Sequence, residues 1–187
     1  HKLAFLKTPV PQSDSRSLRV SRQQYSRPDR LGEIPLAQWI TLEQRILKPA
    51  DKLQSLANGD LKHLPELLAC LLLPKGEAFD SRKIDAHTQT LRLMPVPQAL
   101  GLRNWFFDQL QHIEQQYEEL FPAEDPPTTK AAASDQALYF RRWGWSAILA
   151  ELNDGQLLPN IRELLLQSPT EIIFQELARR QHKAQID

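Results

Sequence analysis

Five histidines, His1, His63, His87, His112 and His182, are the first residues to test for metal or acid–base chemistry. Zinc and di-iron sites place their ligands at fixed helical spacings (H-x-x-x-H, H-E-x-x-H or paired E-x-x-H) so that both leave one helix face. None of the five stands in such a pattern. Asp60-Leu61-Lys62-His63 is an isolated D-x-x-H and reads as a helix cap followed by a surface histidine. The single cysteine, Cys70, lies inside ELLACLLL, an apolar setting that raises a thiol pKa and leaves no activated nucleophile. A lone cysteine also makes no intramolecular disulfide. There is no G-x-S-x-G elbow, and six scattered glycines form neither a P-loop nor G-x-G-x-x-G. The carboxylate pairs Glu118-Glu119 and Glu124-Asp125 read as a solvated helix face and an acidic loop. Neither catalysis, nor a metal, cofactor or small-molecule ligand, is expected.

Two other groups of residues suit recognition. Residues 1–33 carry Lys2, Lys7, Arg16, Arg19, Arg22, Arg27 and Arg30 against Asp14, Asp29 and the closing Glu33. Arginines so spaced can follow acidic groups on a protein or phosphates on a nucleic acid, with Tyr25 placed to stack a base. The second group is Trp143-Gly144-Trp145. On a helix, the two tryptophans point roughly 200° apart, so one core cannot take both. Trp145 falls with Leu138, Ile148, Leu149 and Leu152 and reads as core. Trp143 lies on the flank, and Gly144 lets a neighbouring backbone approach, which makes Trp143 a partner contact.

The whole chain bounds these readings. Its 187 residues suffice for one ordinary domain with a real core. The 23 Lys and Arg balance 23 Asp and Glu, which argues against a uniformly basic nucleic-acid protein but not against a local patch. The longest apolar run, LLACLLL, is far short of the ~20 residues that cross a bilayer. No signal peptide is read in HKLAFLKTPVPQ. A secreted or membrane-spanning protein is therefore not expected.

The elements that must position these residues are helical. Sustained alternation is missing and no Asn-Gly or Asp-Gly turn joins two strand-like runs, so essentially no sheet is expected. The tract 1–33 has too few apolar residues to order itself and reads as an extended arm. Its Leu18, Val20 and Tyr25 are expected to dock in apolar grooves of a neighbouring subunit, and its arginines to meet acids there. Helices are expected over about 35–48, 60–73 (capped by Asp60), 80–91 (capped by Asp80 and ended by MPVP) and 102–120. The last carries the seam Phe106, Leu110, Ile113, Tyr117, Leu120, in steps of four and three. Residues 122–134 read as a linker between a first helical part (34–121) and a C-terminal part (135–187) that packs on it. In the latter, helices are expected over about 135–152 and 159–166. A final helix is announced by the capping box Ser168-Pro169-Thr170-Glu171, with Ile172, Ile173, Phe174 and Leu177 facing inward. The fold class is all-α, an irregular bundle of six to seven helices with a basic arm.

Three central segments, TLEQRILKP, LPELLACLLLPKGEAFDSRKID and LMPVPQALGLRNWFFDQL, resemble small helical proteins encoded among the morphogenesis genes of tailed bacteriophages. GWSAILAELNDGQLLPNIRELLLQSPTEIIFQEL resembles their closing part. The resemblance covers residues 41–177 and carries no catalytic motif. It implies a virion or tail-assembly component, located in the particle or the cytoplasm of an infected cell. The expected function is non-catalytic: contacts with other protein subunits, copies of itself included. Arg16, Leu18, Arg19, Val20, Arg22, Tyr25, Arg27, Arg30 and Trp143 are the candidate contact residues. The alternative is a nucleic-acid-associated protein binding phosphates through the arm.

Overall fold

The computed structural model describes residues 17–117, 120, 145, 149 and 165–186. Arg16, Trp143, the linker 122–134 and most of the helices expected over 135–152 and 159–166 lie outside the described residues. The described fold is mostly helical, with one small antiparallel sheet. No helix among these residues is long and apolar enough to cross a membrane.

The sheet corrects the expectation of an all-α chain with an extended arm. Strands β1 (Ser17–Val20) and β2 (Gln23–Ser26) form a hairpin, and β3 (Leu73–Pro74) pairs with β2. The hairpin turns at Ser21-Arg22, where Ser21 alone has positive φ, 57°. Positive φ at the first of two turn residues is the pattern of a type II′ turn, which matches the twist of the flanking strands. Leu18, Val20 and Tyr25 point into the chain's own core, at 4%, 1% and 0% exposure. Residues 17–33 of the tract are thus packed by apolar surface from outside their own segment, and that surface comes from the same chain rather than a neighbour.

The 3₁₀ turn Leu31–Glu33 leads into α1 (Leu36–Leu42), which continues as a π-helical stretch over Glu43–Leu47. Together they span the first expected helix. Helix α2 (Ala50–Ala57) has no counterpart among the expected helices, and α3 (Leu64–Leu71) starts four residues after the expected position 60. Asp60 does not cap α3; its carboxylate accepts from the Lys62 amide and the Ser55 hydroxyl, closing the turn between the two helices. Asp80 does cap, accepting from the Arg82 amide at 3.0 Å before α4 (Ile84–Leu91). Pro95 and Pro97 do not merely end α4. They open α5 (Val96–Gln116), where proline's fixed φ and missing N–H cost nothing in the first turn.

The core is continuous from the hairpin through α1, α3, α4 and α5. The seam residues Phe106, Leu110, Ile113 and Tyr117 are all buried in it. Helix α6 (Thr170–Ile186) closes over α1. Its start is stitched to the chain before α1: the Thr170 amide and hydroxyl both donate to the Ile34 carbonyl, at 3.0 and 2.8 Å, and the Leu36 amide donates to Ser168. Gly32 allows this approach, because a Cβ there would stand 3.0 Å from Glu171 Cβ. Ile173 and Phe174 face inward, whereas Ile172, expected inward, is exposed.

Candidate interaction surface

Burying Leu18, Val20 and Tyr25 fixes what the hairpin shows outward. In an antiparallel strand, alternate side chains leave opposite faces, so Ser17, Arg19, Gln24 and Ser26 stand together on the outer face. Arg19 lies opposite Gln24. Tyr25 lies opposite Pro74, and the Lys75 amide donates to the Gln24 carbonyl at 2.8 Å, which carries the register one residue further. Arg19, Gln24 and Lys75 therefore form one row across the sheet, with the outer Cα atoms about 10 Å apart. Gly76, at φ 83°, supplies the positive φ at the third position of the turn Pro74–Glu77, whose ends are joined by a 3.0 Å amide–carbonyl bond. That turn holds Lys75 in the row.

The arm's arginines divide. Arg30 pairs with Glu33 at 3.1 Å and with Glu171 at 3.5 Å, and the hydrogen bond to Glu33 leads in holding its guanidinium above the ordinary range. Arg27 lies 4.7 Å from the centre of the Trp105 ring, a cation–π contact within the chain. Both are tied internally rather than offered to a partner. Arg19 and Arg22, with Lys75, are exposed and form no ion pair among the described residues. The basic end of α6 behaves differently, for Glu176 accepts from Arg179 and Arg180, each at 2.8 Å, and its carboxyl is held down to about 2.

The backbone adds a second feature. With a two-residue turn, Val20–Gln23 and Leu18–Tyr25 are the hydrogen-bonded pairs of the hairpin. The N–H and C=O groups of Ser17 and Arg19 then point away from β2. In the sheet order β1-β2-β3 that side is the outer edge, and no described strand covers it.

The remaining candidates are placed as follows. Tyr25 is no stacking platform: it is fully buried and meets His87 edge-on at 6.1 Å. Trp145 is half-buried, stacks on Phe174 at 6.3 Å and donates its indole N–H to Glu43. With Leu149 it packs on Leu36 and Ile173, as its expected stripe implies. Cys70 is buried, and desolvation pushes its thiol up to about 12. Among the described residues, no three His, Cys, Asp or Glu come together as metal ligands. An open cleft of about 470 Å³ lies between Ala37, Leu166 and the loop Glu77–Lys83. Its charged groups answer one another, Arg82 with Asp80 at 2.9 Å and Lys83 with Glu77 at 2.7 Å, which makes it a braced loop.

Lys75 lies 42 residues beyond the arm (75 − 33), so no local spacing ties it to the arginines. The only local signal was the Pro-Lys-Gly turn. No family model, curated protein or solved structure matches the chain.

Proposed function

We propose that the chain is a non-catalytic structural or assembly protein that makes protein–protein contacts within a larger complex, and that the outer face of its sheet is one contact. The observation that carries this reading is the division within the hairpin. Its apolar side is spent on the chain's own core, while Arg19, Arg22 and Lys75 stand outward without acidic partners among the described residues. The resemblance of residues 41–177 to tailed-phage morphogenesis proteins supports a virion or tail assembly as the setting.

Magnitude favours a protein partner over a nucleic acid at this face. Neutralising three phosphates gives a salt slope of only about −2.7, against the six to ten contacts of a typical DNA binder. The buried Tyr25 also offers no base a ring. The test is zero-length carbodiimide cross-linking of the full chain in the cells that make it. Lys75 should couple to carboxylates of another protein or of a second copy. Cross-links confined to the same chain, with ultraviolet cross-links to nucleic acid instead, would reverse the reading.

A further inference from the structure

We infer that the outer edge of β1 is a strand-addition site for an extended acidic segment of a partner protein. The inference rests on the assembly reading and names the chemistry of the partner. Three observations meet at Arg19. Its backbone N–H and C=O point outward from the edge, by the pairing that the Ser21-Arg22 turn sets. Its side chain lies on the solvated face, in a row with Gln24 and Lys75. Arg22, in the turn that follows β1, is also exposed.

An added strand takes its affinity from main-chain hydrogen bonds and its selectivity from alternate side chains. A residue paired across the edge from Arg19 puts its own side chain on the same outer face, with Cβ about 5 Å away. A carboxylate there meets Arg19, and one two residues along reaches toward Arg22 or the Ser17 end. The partner therefore reads as acidic at every second position over about four residues, the length of β1. Intervening positions lie against the rim of the hairpin's buried side, where small β-branched residues fit. Gln24, whose amide donates to Ser17, has a second N–H that can add a hydrogen bond to the same carboxylate. A nucleic acid lacks the amide ladder that the edge offers, and a cationic strand would meet Arg19 and Arg22 with like charge.

The probe is a fluorescein-labelled peptide of four Thr-Glu repeats, read by anisotropy against the full-length protein. It should bind, and four Thr-Lys repeats should not. Arg19→Glu keeps the amide and reverses the charge, and should weaken binding at least tenfold. Arg19→Pro removes the outward N–H, which the hairpin itself does not use, so an edge position tolerates it. It should abolish binding with the melting temperature held. Should Arg19→Pro unfold the chain, Arg19→Glu and the Thr-Lys peptide still decide. The inference fails if the Thr-Glu peptide does not bind, or if Arg19→Pro binds it as wild type does. It also fails if an eight-nucleotide thymidylate binds more tightly than the peptide. Failure here removes the strand-addition site alone, since the cross-linking of Lys75 tests the assembly reading separately.

Discussion

Gln38 is one of two polar residues buried in the core among the described residues. It is 1% exposed, and its amide donates to the carbonyls of Cys70 at 2.8 Å and Leu71 at 3.2 Å. These belong to the last turn of α3, where carbonyls have no helical partner. Helix α3 runs straight into β3, with no glycine to curl the chain back and close them. Gln38→Leu keeps the volume and removes the donor, leaving both carbonyls short of a bond. Urea melts should show a loss of about 1–3 kcal/mol with an unchanged slope. Beside it, Cys70 is chemically silent. Burial pushes the thiol up to about 12, so the neutral, weakly nucleophilic form prevails at pH 8. Iodoacetamide at pH 8 should leave the native protein unlabelled and modify it rapidly in urea. Appreciable native labelling would place Cys70 nearer solvent.

At the scale of elements, α5 anchors the fold. Leu110 sits in the middle of its seam at 7% exposure, between Phe106 and Ile113, and both neighbours are buried too. Leu110→Ala should cost about 2–5 kcal/mol by denaturant melt. A loss under about 1 kcal/mol would mean that the seam collapses around the gap. This seam was legible because 21 residues repeat the 3.6-residue pattern several times. The shorter elements repeat nothing. In Ser17–Val20 and Gln23–Ser26, four residues each, only Leu18, Val20 and Tyr25 face inward, and the turn has no glycine. What makes them strands is the apolar surface offered by helices far along the chain, which local spacing cannot express. Helix α2 hid for the same reason: ADKLQSLA buries only Leu56. The cationic face was half legible. Arg19 and Arg22 stand in the basic tract, but Lys75 joins them through the pairing of β2 with β3. The π stretch after α1, marked by the Lys48 amide donating to the Glu43 carbonyl five residues back, has no signature in EQRIL.

The molecule as a whole builds residues 17–33 of its basic N-terminal tract into the fold, and this reverses the consequence of removing them. For an arm lying outside the core, deletion of residues 1–30 would leave the thermal stability of the isolated chain unchanged. Here that deletion strips Leu18, Val20 and Tyr25 from the core and bares the surfaces they cover, among them the ring of His87 and the edge of β3 that pairs with β2. Each buried side chain of this size is worth about 1.5–3 kcal/mol. Their combined loss, about 5–9 kcal/mol, rivals the entire 5–15 kcal/mol of a typical domain. At about 2–4 °C per kcal/mol for a chain of this length, the melting temperature should fall by at least 10 °C, or the cooperative transition should vanish. Calorimetry of the full chain, the deletion and the double variant Leu18→Ala/Tyr25→Ala separates packing from chain length. The double variant should reproduce most of the fall while keeping Arg19 and Arg22 in place. If the deletion melts within about 3 °C of the full chain, the hairpin contributes nothing to the core, and the division of labour between its two faces is lost with it.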